Sequence, residues 1–109
     1  MFSLKILITE DDTVSALLLK KALEKNHHQI IGMADSGEIA LEILEKNHAD
    51  IVMMDINLSG KLDGIKTTEI INEKYNIPVV YLTASSDSET LQKVAVTNPS
   101  AYVIKPFNI

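Results

Sequence analysis

Residues 50–55 read Asp50-Ile51-Val52-Met53-Met54-Asp55, with four consecutive apolar residues between two carboxylates. A strand with one solvated face alternates apolar and polar residues, whereas an unbroken apolar run is typical of a strand buried on both faces. Such strands occur mainly in parallel sheets that carry helices on both sides. The stretch therefore predicts an interior strand of a parallel sheet.

Comparable runs rich in Ile and Val occur before and after this one, and they are Leu4 to Thr9, Gln29 to Ala34, Ile77 to Thr83 and Ala101 to Lys105. The segments between the runs repeat apolar residues at helical spacing, as Val14, Leu18 and Ala22 do. The order β-α-β-α-β-α-β-α-β predicts an α/β domain of five strands and four helices. Right-handed crossovers would build these into an open parallel sheet with helices on both faces.

Capping residues predict where several helices begin. Asp35 with Glu38, and Ser86 with Glu89, have the spacing of a capping box. The pair Asp63-Gly64 suits the start of a further helix. These positions agree with the helical segments predicted from the apolar spacing.

The composition limits the classes of function. The chain has 109 residues, no Cys and a net charge of −5, which fits one acidic domain and excludes disulfides, thiolate metal sites and cysteine nucleophiles. No stretch resembles a basic arm, so we do not expect direct nucleic-acid binding. The apolar runs are far shorter than the roughly 20 residues of a membrane span, and the N-terminus lacks a signal-peptide layout. We expect a cytoplasmic domain that does not bind membranes.

Polar residues follow four of the predicted strands, and they are Glu10-Asp11-Asp12, Asp55, Thr83-Ala84-Ser85 and Lys105-Pro106. Parallel strands end at one edge of a sheet, where ligand sites of such folds form. Two carboxylates about 4 Å apart repel by roughly 4 kcal/mol at an effective dielectric constant of 20. A cluster of acids therefore calls for a cation, and oxygen-only ligands on a half-open site favour Mg²⁺.

The chain resembles the receiver domains of two-component response regulators, the CheY-like superfamily. The resemblance rests on Ile6-Leu7-Ile8-Thr9-Glu10-Asp11-Asp12, Asp55, Thr83-Ala84 and Lys105-Pro106-Phe107, whose order and spacing match along the chain. It implies a flavodoxin-like, doubly wound sheet of strand order 2-1-3-4-5 and one receiver domain over residues 1–109. The last helix of that fold is expected to be absent from this chain.

The resemblance also implies a metal site and a phosphoacceptor. Asp55 would accept a phosphoryl group from a sensor histidine kinase or a phosphotransfer protein. The cofactor would be Mg²⁺, with Mn²⁺ as an alternative. Asp11 and Asp55 would ligate the ion directly, Asn57 through its backbone carbonyl, and Glu10 through water.

Further residues would bind the phosphoryl group and relay its arrival. The Thr83 hydroxyl, the Ala84 backbone and the Lys105 ammonium would contact the phosphoryl oxygens. Thr83 and Tyr102 would then form the switch that alters the output face. Pro106 is the candidate for a cis proline that aims Lys105.

The chain departs from the family pattern near Asp55. Ser59 stands where receivers commonly have a proline, and the loop before Asp63-Gly64 is one residue longer than usual. This leaves the backbone geometry near Asn57 open. Thr9 also replaces the more usual apolar residue before the acidic pair, with no predicted chemical consequence.

Each of these residues has an ordinary structural interpretation when taken alone. The acids of residues 10–12 could cap a helix, Asp55 could be a loop acid, and Lys105 could be a solvated charge. Their joint placement at one sheet edge favours a site. His27 and His28 are interpreted as surface residues near a helix end and not as a metal pair.

Two other functions stay open from sequence alone. A receiver-like scaffold could bind partners without phosphorylation, although the intact Asp11, Asp55, Thr83 and Lys105 argue against it. A phosphohydrolase with Asp55 as its nucleophile would need a second acid where Asn57 stands, so hydrolysis is expected only as slow self-dephosphorylation. The output domain or downstream protein and the formation of a homodimer are not predictable, and kinase docking is expected on the first helix.

Overall fold

The computed structural model describes residues 3–56, 58, 61–83 and 101–104, and it places Thr83 and residues 101–104 by their backbones. The strands are β1 (Lys5–Thr9), β2 (Gln29–Ala34), β3 (Ile51–Asp55), β4 (Val79–Thr83) and β5 (Ala101–Ile104). The helices are α1 (Thr13–Lys25), α2 (Gly37–Lys46) and α3 (Gly64–Lys74). The predicted fourth helix, with its Ser86–Glu89 cap, lies outside the described residues.

The sheet has the order β2-β1-β3-β4-β5, and all neighbouring strands pair in parallel. This confirms the predicted α/β fold class and strand order. The chain leaves β1 toward β2 on one side and then crosses to β3 on the other. The switch point therefore lies between β1 and β3, where folds of this kind place their sites.

Both faces of the sheet are covered, as the apolar runs predicted. In β1, Leu7 packs with the residues under α2 and α3, whereas Ile6 and Ile8 pack with Ala16 and Leu19 of α1. In β3, Val52 and Met54 face the α2 side and Met53 faces the α1 side. This alternation explains why these strands carry consecutive apolar residues.

The strand β4 begins two residues later than predicted. The apolar run starts at Ile77, but β4 begins at Val79 because Pro78 has no N–H to donate to its neighbour. The Pro78 carbonyl still accepts a hydrogen bond from Val52 N at 3.0 Å. The proline thus aligns β4 with β3 without being part of the strand.

The helix caps agree with the sequence at one position and differ at another. Asp63 caps α3, since its carboxylate accepts from Lys66 N at 2.8 Å. The predicted Asp35–Glu38 capping box is wrong. The cap of α2 is Ser36, whose hydroxyl oxygen accepts from Ile39 N at 3.2 Å. The helix begins at Gly37, one residue later than the box requires, which leaves the Glu38 carboxylate available for a contact elsewhere.

The two adjacent histidines have different roles after α1. His27 is exposed and has a positive φ of 69° just beyond the C-cap residue Asn26. His28 is partly buried, and its Nδ1 accepts from Leu4 N at 3.1 Å. His28 therefore ties the end of α1 to the start of β1, which the interpretation as a surface residue missed.

Among the described residues, no helix reaches the length and apolar character that crossing a membrane would require.

Candidate functional site

The register of the central strands brings two acidic residues together. β1 and β3 pair with Thr9 opposite Met54, so the next residues, Glu10 and Asp55, lie side by side at the carboxyl edge of the sheet. Glu10 is held on its other side too, because its N–H donates to Ala34 O of β2 at 2.9 Å. The switch point of the sheet thus fixes both backbones.

Three carboxylates converge at this edge. Oxygen atoms of Glu10, Asp11 and Asp55 all lie within 4.8 Å of one another. Glu10 and Asp55 are 3% and 4% exposed, whereas Asp11 is exposed. Carboxylates this close to one another repel when they are ionised. A bound cation would offset this repulsion.

The donor set fits a hard divalent cation. All three candidate ligands are carboxylate oxygens, which Mg²⁺ and Mn²⁺ prefer over nitrogen or sulfur ligands. A cavity of about 180 Å³ opens beside the cluster, between the start of α1 and the end of β2. Asp11, Met33 and Asp35 line it. This opening gives the water access that a Mg²⁺ ion with retained water ligands needs.

A glycine fixes the backbone at Asp55. Gly64 N donates to Ile56 O at 3.2 Å, and a Cβ on Gly64 would overlap the carbonyl oxygen of Asp55. Ile56 N in turn donates to Leu82 O of β4 at 3.1 Å. The sequence indicates Gly64 only as part of a helix start, and no spacing pattern predicts its close approach to Asp55.

The start of α1 orients the neighbouring acids. Asp12 occupies the N-cap position with an extended backbone, and its carboxylate accepts from the Ser15 hydroxyl at 2.6 Å. Asp11 precedes it by one residue and so lies between the end of β1 and the first turn of the helix. The three consecutive acids therefore have different roles. Asp12 is the N-cap residue of α1, whereas Glu10 and Asp11 belong to the carboxylate cluster.

The other predicted site residues are described in part. Thr83 is the last residue of β4, directly after Leu82, which pairs with Asp55. Tyr102 lies in β5 opposite Tyr81. Asn57, Ala84, Lys105 and Pro106 lie outside the described residues. The backbone thus brings Thr83 to the same edge as the three carboxylates.

A larger concavity lies at the opposite edge of the sheet. It has a volume of about 370 Å³, and its lining includes Leu44, Lys46, His48, Tyr75 and Ile77. Its residues precede β3 and β4, so it lies at the amino ends of the strands. The acidic cluster at the carboxyl ends remains the candidate site.

Comparison with known proteins agrees with this geometry. A family model described as the response regulator receiver domain matches residues 6–109. The transcriptional regulatory protein PdtaR of Mycobacterium tuberculosis is 32% identical over 105 residues, which cover 96% of this chain and 51% of PdtaR. The sensory transduction protein LytT of Bacillus anthracis is 37% identical over 106 residues, which cover 96% of this chain and 42% of LytT. The chain thus spans about half the length of these curated relatives.

Solved structures give the same result. The signal receiver domain of a modulated diguanylate cyclase from Desulfovibrio desulfuricans is 34% identical, with a TM-score of 0.89, and the match covers 96% of this chain and 83% of that chain. A two-component response regulator from Clostridium difficile is 29% identical, with a TM-score of 0.88, over 95% of this chain and 84% of that chain. The family match over nearly the whole chain and these two structural matches lead to one conclusion: the chain belongs to the response regulator receiver domains, the signalling domains of two-component systems.

Proposed function

We propose that the domain is a phosphorylation-dependent switch in which Asp55 accepts a phosphoryl group. The observation that carries the proposal is the convergence of Glu10, Asp11 and Asp55 within 4.8 Å at the switch point of the sheet. Burying two of three clustered carboxylates is costly, and a fold tolerates that cost where the charges serve a site. The family membership supplies the reaction class.

The reaction moves a phosphoryl group from nitrogen to oxygen. A carboxylate oxygen of Asp55 attacks the phosphorus of a phosphohistidine on a sensor kinase or phosphotransfer protein. A P–O bond forms and the P–N bond breaks, and the freed imidazole keeps the electron pair and takes up a proton from solvent. Such transfers depend mainly on in-line positioning and charge stabilisation, so the domain assists its own phosphorylation without being an enzyme that acts on other substrates.

The acids around Asp55 would hold a divalent cation. Asp11 and Asp55 would bind it directly, Glu10 through water, and Asn57 through its backbone carbonyl. When bound, Mg²⁺ or Mn²⁺ neutralises carboxylate and phosphoryl charge and orients the oxygens for transfer. The strand register, which sets the backbones of Glu10 and Asp55 side by side, supports a metal site that is largely formed before the ion binds.

Residues at the ends of β4 and β5 would bind the phosphoryl group and respond to it. The phosphoryl group adds about −1.5 to −2 units of charge and three acceptor oxygens. The Thr83 hydroxyl, the Ala84 backbone and Lys105 would bind these oxygens, and Tyr102 would relay the change to the output face. The proposal is supported by the position of Thr83, one residue beyond the partner of Asp55 in β4.

An exposed apolar surface on α1 suits the phosphodonor protein. Val14, Leu17 and Leu18 are 65%, 45% and 58% exposed and lie on the outer side of the helix that begins at the acidic cluster. A kinase docked there would bring its phosphohistidine to the edge that holds Asp55. The response would pass to an output domain or to a downstream cytoplasmic protein, and the domain could act as a monomer or as a homodimer. We do not expect this domain itself to bind nucleic acid or membranes.

The proposal is tested by intact-mass measurement after incubation with acetyl phosphate. We expect one added phosphoryl group on the wild type in the presence of Mg²⁺, and none when Mg²⁺ is chelated or when Asp55→Asn is used. Asp35→Asn, an exposed acid that lines the neighbouring cavity, is the matched control and should be labelled like the wild type. A folded wild type that takes no phosphoryl group would favour the scaffold function.

A further inference from the structure

The start of β1 is bonded to side chains that belong to both of its neighbours. Leu4 N donates to the ring Nδ1 of His28 at 3.1 Å, and Lys5 N donates to the Asp50 carboxylate at 2.8 Å. His28 directly precedes β2 and Asp50 directly precedes β3, the two strands that flank β1. Two consecutive backbone amides therefore have side-chain acceptors that can each take up a proton.

The first of these bonds fixes the proton of the His28 ring. A ring nitrogen of histidine accepts a hydrogen bond only while it carries no proton. Because Nδ1 accepts from Leu4 N, the ring is neutral and its proton lies on Nε2. A proton on Nδ1 would place a second donor against the Leu4 N–H, and this hydrogen bond would be lost.

Backbone bonds keep the ring beside Leu4. His28 N donates to Leu23 O of α1 at 3.1 Å, and Gln29 N donates to Leu4 O at 2.9 Å. Leu4 and Leu23 are partly buried and pack against the core under α1. The bond from Leu4 N to Nδ1 thus adds a side-chain contact to a junction that the backbone already holds, so its loss would act locally.

The titratable groups on the elements that meet at this junction are exposed, apart from the partly buried Asp50. They are Glu24, Lys25 and His27 at the end of α1, Lys5 on β1, and His48 and Asp50 before β3. The strand β2 carries none. Water and salt screen exposed charges, and the C-terminal carbonyls of α1 favour a positive charge nearby. The helix end therefore does not oppose protonation of the ring.

We infer that the hydrogen bond from Leu4 N to His28 Nδ1 is a pH-sensitive contact between the end of α1 and the start of β1. The contact is closed while the ring is neutral and opens when the ring takes up a proton. The closed form holds one proton fewer than the open form, so acid favours opening. The contact is separate from the carboxylate cluster, since it lies at the amino end of β1 and the cluster lies at the carboxyl end.

NMR spectroscopy on the full chain tests the inference between about pH 8 and pH 5, the range in which histidines change charge. The ring ¹⁵N shifts of His28 report its tautomer and its protonation. Hydrogen exchange, corrected for its intrinsic dependence on pH, reports the protection of the Leu4 amide. The Lys5 amide is the internal reference, because its hydrogen bond is the main cause of the lowered pKa of Asp50, which keeps that carboxylate ionised over this range.

Three variants accompany the wild type. His28→Asn keeps an acceptor oxygen close to the position of Nδ1 but cannot take up a proton, whereas His28→Ala has no acceptor. His27→Asn is the matched control, because it removes the exposed neighbouring ring and asparagine tolerates the positive φ of that position.

We expect the Nε2–H tautomer of His28 at pH 8. As the ring takes up its proton, Leu4 protection should fall about two- to tenfold, the range of one net hydrogen bond, while Lys5 protection stays constant. The fall should share the midpoint of the ring titration and should persist in His27→Asn. Leu4 should stay protected at every pH in His28→Asn and weakly protected at every pH in His28→Ala.

Several results would overturn the inference. An Nδ1–H tautomer at pH 8 would remove the acceptor, and a ring that stays neutral down to pH 5 would remove the sensitivity to acid. Leu4 protection that is unchanged while the ring is protonated would show that the amide does not depend on the ring. A fall that persists in both His28 variants would assign the proton to another group, and a fall that is lost in His27→Asn would assign it to His27.

Discussion

Thr9, the last residue of β1, places a polar hydroxyl group in the buried interior. It is fully buried, and among the described residues its hydroxyl has no hydrogen-bond partner. A buried hydroxyl without a partner loses its hydrogen bonds to water and gains none in return, which costs about 1–3 kcal/mol. The sequence identified Thr9 as a departure from the family pattern but gave no consequence, because burial of its hydroxyl depends on the packed helices.

We predict that Thr9→Val raises the free energy of unfolding by about 1 kcal/mol. Valine has nearly the same shape and the same preference for strands, so only the hydroxyl is lost. Urea denaturation measures the change. Thr68→Val is the comparison, because the buried Thr68 hydroxyl donates to Gly64 O at 2.8 Å and its removal should bring no gain. A destabilised Thr9→Val protein would contradict this account of the hydroxyl.

The end of α1 is stabilised by backbone bonds around a residue with a positive φ. His28 N donates to Leu23 O at 3.1 Å, and His27 N donates to Glu24 O at 3.0 Å. This is the hydrogen-bond pattern of a Schellman motif, whose left-handed position normally holds glycine. His27 occupies that position with a φ of 69°, which costs a residue with a Cβ about 1–2 kcal/mol.

We predict that His27→Gly raises the free energy of unfolding by about 0.5–1 kcal/mol. Glycine removes the steric cost of the left-handed backbone, and its greater freedom in the unfolded chain offsets part of the gain. The change is measured as a shift of the denaturation midpoint. His27→Ala keeps the Cβ and should give no gain, so equal stability of the Gly and Ala variants would exclude the backbone explanation.

Most elements follow from local sequence patterns, and the differences have local causes. The apolar runs predicted the five strands because strands buried on both faces need consecutive apolar residues. The capping box failed at α2, since Asp35 and Ser36 are both good N-cap residues and the helix uses Ser36, whose hydroxyl oxygen accepts from Ile39 N. A hydrogen bond from Leu62 N to the Glu38 carboxylate was not predictable, because it joins residues 24 apart through the packing of α2 on α3.

Acidic residues lie at both edges of the sheet. The oxygens of Glu10, Asp11 and Asp55 cluster at the carboxyl edge, and Asp50 lies at the amino edge, directly before β3. Asp50 accepts from Lys5 N at 2.8 Å and pairs with His48 Nε2 at 3.2 Å. These two hydrogen bonds, that from Lys5 being the larger contribution, lower the pKa of the Asp50 carboxyl below its ordinary value of 3.8.

This lowered pKa predicts a pH dependence of stability. A carboxyl with a lower pKa in the folded state stabilises the fold above its unfolded pKa, and the stabilisation is lost as the pH falls through the folded value. We predict that Asp50→Asn lowers the free energy of unfolding at pH 7 and that its difference from the wild type shrinks below about pH 4. Denaturation at a series of pH values measures this. A difference that is constant with pH would contradict the ionic contribution.

The site could be predicted as a cluster from the sequence because its residues directly follow the strands of one sheet. The register between β1 and β3 then brings two of the acids together, since Thr9 pairs with Met54 and the next residues are Glu10 and Asp55. What the sequence could not predict is the fit between backbones. The contact of Gly64 with the Asp55 carbonyl and that of Gly37 with Leu62 arise from tertiary packing, and a glycine at a helix start carries no sign of either.

The central claim is that a carboxylate oxygen of Asp55 carries the phosphoryl group, and chemical trapping tests it most directly. Borohydride reduces an acyl phosphate to an alcohol, so a phosphorylated aspartate becomes homoserine, which peptide mass mapping can locate. The account predicts homoserine at position 55 after treatment with acetyl phosphate and Mg²⁺, and its absence when Mg²⁺ is chelated. Homoserine at position 11 or 12, or at no position in a folded and Mg²⁺-loaded protein, would contradict it.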